Sequence, residues 1–306
     1  MPSGIENTFL IVEIGEFIVG ILGNGFIVLV NGIDWVKSQK ISLADSILTS
    51  LALSRIIQLW IILFQSFLIV LWPNIYVINK PRKFLSIFST LINHIATWFA
   101  TCLCVFYFFK IASFSHPCFI WLRWRISRVL LVLQLLSLCL LFFIFVLTDT
   151  LSGFWVNVYN KHERNSTLSS DVSTTVYFNT WIVFSLIYLI PFLLSLTSLV
   201  LLFLSLMRHI RNLQLNSMGS RDVSTQAHKR AMKMVTSFLL FFIVHVFSII
   251  LSGWIFLMPH KPLANFLIMS TSTIFPSGHS FFLILGNTKL RQTAGGLLQH
   301  LKCHLK

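Results

Sequence analysis

Three side chains with chemistry to offer lie inside long apolar runs: Arg55 in Leu43–Leu71, Asn93 in Phe84–Phe109 and His245 in Met234–Met258. A charge, an amide or an imidazole surrounded by hydrocarbon has to find partners inside the protein, and such residues mark clamps, ligand sites or relay paths. Arg55 sits near the middle of its run. Its expected acceptor is Asn24, at comparable depth in Phe9–Asn31, with backbone carbonyls near Pro276–Ser280 as a further source. Asn24 and Arg55 therefore read as an intramembrane polar clamp, either permanent or rearranging in a switch.

Around Asn93, the residues Ser86, Ser89, Ala96, Thr97, Ala100, Thr101 and Cys104 recur at steps of three and four, so one helical face is small or polar and looks inward. The Asn93 amide needs a partner there, which either an interhelical hydrogen bond or a ligand in an outer cavity supplies. His94 beside it, His245 with Ser248, and Ser270-Thr271-Ser272-Thr273 in the last run add polar groups at depths that fit the same cavity. For His245 a packed and satisfied ring is the plainer reading.

Catalysis finds no support. No Glu-x-x-His pairing, cofactor fingerprint or Gly-x-Ser-x-Gly elbow occurs, so the chain reads as a non-enzyme without a cofactor. His300-x-x-Cys303-His304 is a weak metal cage and reads as part of an amphipathic surface tail. Cys118 and Cys303 are juxtamembrane candidates for palmitate.

These residues need a membrane bundle to hold them. Seven apolar segments, Phe9–Asn31, Leu43–Leu71, Phe84–Phe109, Val129–Val146, Thr180–Leu206, Met234–Met258 and Leu263–Gly286, each approach or exceed the length that crosses a bilayer as a helix. With 56% hydrophobic and 10% charged residues, the composition excludes an ordinary soluble domain. The expected fold is all-α: one seven-transmembrane-helix domain spanning residues 1–306. Of the 23 Lys and Arg residues, Lys80, Arg82, Lys83, Lys161, Arg164 and Lys261 fall on one side and Arg55 within a span, while the rest fall on the other. The richer side is cytosolic, which places the N-terminus outside and the tail 287–306 inside. The net charge of +14 is thus a topology signal, assisted by attraction to anionic membrane lipid, and no nucleic-acid partner is expected.

The outer loop 149–179 carries Asn165-Ser166-Thr167, which makes Asn165 the expected glycosylation site. All five cysteines fall within spans or on the cytosolic side, so no disulfide staples the outer loops. Pro191, Pro276 and Gly23-Asn24-Gly25 predict kinks or close helix contacts. The basic segment Met207–Lys233 is expected to prolong its flanking helices into the cytosol. A small-molecule transporter or channel of the plasma membrane is the competing reading of the intramembrane polar residues; the lack of internal repeats and of buried acidic pairs speaks against it.

Longer strings point to a family. Gly23-Asn24-Gly25-Phe26-Ile27, Leu51-Ala52-Leu53-Ser54-Arg55-Ile56, Trp98-Phe99-Ala100-Thr101-Cys102-Leu103 and Phe106-Tyr107-Phe108-Phe109-Lys110-Ile111-Ala112 are followed by Phe114-Ser115-His116-Pro117, Trp121-Leu122-Arg123, His279-Ser280-Phe281 and Leu285-Gly286-Asn287. With these motifs across nearly its whole length, the chain resembles the type 2 (bitter) taste receptors. Other rhodopsin-like receptors carry Asp-Arg-Tyr after the third span and a Pro in the sixth, where this chain has Phe106-Tyr107-Phe108 and no proline.

The resemblance implies a G protein-coupled receptor that binds bitter small molecules in an outward-facing intrahelical pocket and activates a heterotrimeric G protein of the gustducin/Gi class. It implies ligand contacts at Asn93, Met269 and Ser272, with Ser89 and His245 standing where the family commonly has Trp and Tyr. His245 then falls where ligand is coupled to helix movement. At the inner side it implies coupling through Tyr107, Lys110 and Arg123 and through His209, His228 and Lys233 of the basic loop. For Tyr107 and Lys110, anchoring at the lipid headgroups is the alternative role. Association with itself or a related chain stays open.

Overall fold

Within hydrocarbon every backbone N–H and C=O has to be satisfied inside its own segment, and the apolar runs of this chain meet that demand as helices. A computed structural model of the chain describes residues 4–72, 79–112, 114–162, 182, 185, 188–208, 211, 236–248, 250–251 and 262–304. The helices are α1 (Gly4–Ser38), α2 (Leu43–Leu71), α3 (Asn79–Ile111), the short α4 (Pro117–Trp124), α5 (Ile126–His162), α6 (Tyr188–Arg208), α7 (Thr236–Ser248), α8 (Pro262–Gly286) and α9 (Thr288–His304). α1, α2, α3, α5 and α6 are each long and apolar enough to cross a membrane; with α7 and α8 they form the expected seven-helix bundle.

Helix ends follow local chemistry. Gln39 closes α1 in the left-handed region, at φ 54°, and its N–H reaches Trp35 O at 2.8 Å. Ser42 opens α2 by accepting the Asp45 N–H at 3.1 Å, with Asp45 in the first turn complementing the helix dipole. His116 caps α4, whose first residue is Pro117. Helices also outrun the membrane boundaries read from hydropathy: α5 continues past Val146 to His162, so the segment expected as outer loop begins as helix, and the tail is helical through α9.

α1 packs on α2 and α8, α2 on α3 and α8, and α3 on α5. The main apolar core gathers Ile27, Leu48, Leu51, Leu103, Leu202, Phe242 and Phe275, while Phe9, Leu10, Val70 and Phe266 form a second cluster. Leu131, Phe142 and Phe247 are exposed on the outside, the arrangement expected where lipid is the solvent.

Lipid gives helices no hydrophobic reason to associate, so close backbone approach matters. Gly20 and Gly23 provide it between α1 and α8. A Cβ at Gly20 would stand 2.5 Å from Leu59 Cδ1 and 2.9 Å from Ser277 Oγ, and one at Gly23 would collide with Ser280 Oγ. Gly25, by contrast, faces open space. Gly23→Val and Gly20→Val should therefore cost about 1–3 kcal/mol through overpacking, read as a lower melting temperature of purified protein, whereas Gly25→Ala should be as stable as wild type or more so. A Gly23→Val protein that melts with wild type would contradict the close contact.

Candidate functional site

Buried polar residues of α1 and α2 converge on α8. Arg55 is fully buried, and its Nη1 donates to His279 Nδ1 at 2.9 Å. Because a guanidinium can only donate, His279 must accept at Nδ1 and carry its proton on Nε2. The Arg55 guanidinium also lies 4.9 Å over the Phe275 ring, a cation–π contact in a dry setting. Phe275 in turn stacks on His279 at 5.3 Å and on His245 of α7 at 4.6 Å. Four side chains from α2, α7 and α8 thus form one column, with Phe238 edge-on to His279 at 4.5 Å.

Beside the column, Asn24 Nδ2 donates to Gly20 O and to Pro276 O, both at 2.9 Å. This corrects the expected pairing. Arg55 and Asn24 do not bond each other; each reaches α8 separately, Arg55 through a side chain that the sequence did not nominate. Equal depth in neighbouring helices leaves the rotation of each helix open, and rotation decides the partner.

A second node joins three helices around Asn93. Its Oδ1 accepts from Gln58 Nε2 at 3.0 Å, and its Nδ2 donates to Tyr188 OH at 2.9 Å. One turn and two turns further along α3, Thr97 and Thr101 bond back to the helix, and Thr101 also accepts from Ser195 Oγ at 2.9 Å. The small-polar face of α3 is therefore a seam with α6. Between α3, α6, α7 and α8 lies a small, partly open pocket of about 20 Å³, lined by Cys104, Tyr107, Leu199, Phe238 and His279 among others.

At the inner end, Lys289 Nζ meets Asp34 at 2.7 Å, Asn31 Oδ1 at 3.2 Å and Asp45 at 3.4 Å. Asn287 Oδ1 caps the first turn of α9, and the clamp ties that helix to α1 and α2. Burial works against the ammonium, yet hydrogen bonds and attraction from Asp34 and Asp45 outweigh it and hold the Lys289 pKa above its ordinary value.

The family described as Taste receptor protein (TAS2R) matches residues 1–302. Taste receptor type 2 member 42 of Pongo pygmaeus is 50% identical over all of this chain and 98% of its own length. The chain belongs to the type 2 taste receptor family. Taste receptor type 2 member 42 of Macaca mulatta is 47% identical over 100% of this chain and 98% of the relative, and Taste receptor type 2 member 7 of Pan paniscus is 46% identical over 96% and 91%. The receptor is a multi-pass membrane protein.

The nominated residues of the receptor fall into separate groups. Asn93 and His245 both face the interior, the first in the α3–α6 node and the second in the column. Ser248 is buried one turn from His245 and bonds Val244 O, and Ser272 bonds Met269 O. Ser89 is half-buried. His94 turns the other way: it is buried against α5, where its ring nitrogen meets Ser137 O at 3.1 Å. Met269 packs on the cluster of Phe9 and Phe266. Tyr107 lines the small pocket, while Lys110 and Arg123 are exposed. Cys118 and Cys303 are exposed free thiols. His209, His228, Lys233 and Asn165 lie outside the described residues.

Several members of these networks were not nominated. Gln58 is one turn from Arg55 on the same face, and His279 lies one turn from Pro276 in the helix that also carries Ser270-Thr271-Ser272-Thr273. Glu13 is a correction to the expectation of no buried acidic pair: it is buried in α1, accepts from Ser270 at 3.2 Å and Thr273 at 3.4 Å, and has Glu16 one turn away with a buried oxygen. A glutamate in a span is a signal in its own right, and averaging over the apolar run around Glu13 hides it.

Breaking the column should expose the cost of an orphaned charge. His279→Leu leaves Arg55 without its acceptor and should destabilise the receptor by about 3–5 kcal/mol, more than the double variant Arg55→Met/His279→Leu, which removes charge and acceptor together. Thermal unfolding in detergent decides it; a double variant less stable than His279→Leu would show that Arg55 is held elsewhere. For Lys289 the raised pKa means its contribution is complete below the ordinary lysine value and is lost only as pH rises through the higher folded value. Attachment of α9, followed by a fluorophore on Cys303, should therefore stay level between about pH 6 and pH 9.

Proposed function

We propose that the chain is a bitter taste receptor of the plasma membrane, a G protein-coupled receptor that takes bitter small molecules into an outward-facing pocket between its helices and activates a gustducin/Gi-class heterotrimeric G protein. Its family membership carries the reading. The Asn93 node supports it physically: an amide held by Gln58 and Tyr188 joins α2, α3 and α6, so a ligand that competes for that amide loosens three helices at once.

In this reading a ligand contacts Asn93, Ser89, Ser272 and His245, with Ser248 behind the last. The agonist acts by binding one arrangement of the bundle better than the other, since equal affinity for both would produce no signal. His245 is stacked on Phe275, and Phe275 on His279, so a push on α7 is felt at the ring that holds Arg55. Tyr107 lines the small pocket that His279 also lines, one turn of α3 from Cys104. Coupling then runs through the inner ends of the helices, at Tyr107, Lys110 and Arg123 and at His209, His228 and Lys233 of the basic loop. Asn165 is the proposed glycosylation site.

Cells carrying the chain and a promiscuous G protein, challenged with a panel of bitter compounds in a calcium assay, should show a concentration-dependent response to at least one. Silence across the panel at normal surface level, or ligand uptake without signalling, would overturn the reading. With an agonist in hand, Asn93→Ala should raise its half-maximal concentration about tenfold, the loss of roughly one hydrogen bond. His245→Ala should weaken the maximal response at equal surface level; an unchanged response would remove His245 from the relay.

A further inference from the structure

The inner end of the bundle carries a cleft whose two basic residues, Lys110 and Arg123, the proposed function places at the coupling surface, but whose apolar interior that reading leaves empty. About 360 Å³ in volume, it lies between the start of α2, the end of α3 and the beginning of α5. Its walls are apolar, from Leu43, Phe106, Phe109 and Ile126, and its two charged residues are both basic, Lys110 and Arg123. Among the described residues none that lines it is acidic. Lys110 leans over the Phe106 ring at 5.3 Å, so its ammonium is held at the mouth of an apolar slot.

What surrounds the cleft fixes its depth. The short helix α4 exposes Trp124 at 86% and Trp121 at 55%, with Ile120 also uncovered, and Arg125 lies over the Trp121 ring at 5.0 Å. Bare indoles beside guanidinium groups are costly in water and in hydrocarbon alike, but they suit the headgroup layer, where apolar bodies meet lipid and polar edges meet water. The cytosolic leaflet supplies anionic lipid at that level, and a basic side chain near it gains from the surface potential. An apolar slot with a cationic mouth, lying in the headgroup layer, matches one occupant: a single amphiphile with a phosphate at one end and an acyl chain at the other.

We propose that this cleft binds one anionic glycerophospholipid of the inner leaflet, its phosphate between Lys110 and Arg123 and its first acyl carbons against Phe106, Phe109 and Ile126. Bound lipid links the ends of α2 and α3 to α4, next to the surface that a G protein would approach, so leaflet composition bears on how readily those ends move. The site does not require the receptor to respond to any agonist.

The test uses the purified full chain in vesicles of phosphatidylcholine containing a photoactivatable phosphatidylserine, with neither agonist nor G protein. Peptide mapping should find label concentrated on 42–44, 106–110 and 123–126, and unlabelled phosphatidylserine should displace it while phosphatidylcholine does not. Lys110→Gln/Arg123→Gln should lower labelling roughly twenty-five-fold, each basic contact near the surface contributing about fivefold. Lys37→Gln/Lys302→Gln, basic residues outside the cleft, should change it less than twofold. Equal losses in both double variants would mean diffuse attraction, and displacement by phosphatidylcholine would mean no charge selection; either overturns the proposal. Should the first double variant not fold, the wild-type map decides: label spread evenly over the inner surface is equally fatal.

Discussion

A guanidinium that cannot be neutralised, set in the middle of a bundle whose solvent is lipid, is the constraint around which this receptor is built. Arg55 cannot reach water and cannot lose its proton, so the protein must solvate it. His279 accepts one N–H, the face of Phe275 receives the cation, and both groups belong to α8. The position of α8 is thereby tied to α2. The contact of α1 with α8, tight at Gly20 and Gly23, brings Asn24 within reach of Pro276 O, a second polar tie to the same helix. Where burial of apolar surface gives no preference for one helix arrangement over another, such ties select the arrangement.

The two halves of the bundle are held differently. α1, α2 and α8 share backbone-level contact, two amide or guanidinium ties and a buried carboxylate at Glu13 bonded to Ser270 and Thr273. α6 joins α3 through the hydroxyls of Tyr188, Ser195 and Thr101, and α7 joins its neighbours mostly through rings, Phe242 on Phe192, Phe238 edge-on to His279 and His245 on Phe275. Rings slide over one another at lower cost than charged hydrogen bonds break. The division suits a switch, because one side keeps its register while the other changes.

Depth was legible in the sequence and direction was not. Hydropathy placed Arg55, Asn93 and His245 inside spans, and the three-and-four spacing of Ser89, Asn93, Thr97 and Thr101 marked the inward face of α3. Which atoms meet depends on helix rotation and crossing, which a single sequence does not encode: Arg55 therefore met His279 instead of Asn24, and His94, one residue from Asn93, faced α5. Glu13 was hidden by averaging over an apolar run. The ends of helices were misjudged for a related reason, since hydropathy reports where lipid stops while caps and hydrogen bonds decide where helix stops. α5 continues to His162 because nothing in its backbone tells it to end at Val146.

The same distinction explains why the Lys289 clamp is not legible in the sequence although three of its residues are charged. Asp34, Asp45 and Lys289 each look like ordinary loop or tail residues, and only the fold brings them within 2.7 to 3.4 Å. Asn31 adds a neutral oxygen to the group and bonds Thr49 as well, so the clamp continues into the interface of α1 and α2. Arg55 anchors α8 at its middle and Lys289 anchors the helix that follows it, both onto α2. With two such anchors along its length, that side of the bundle is held in register, whereas α6 and α7 rest on hydroxyls and stacked rings.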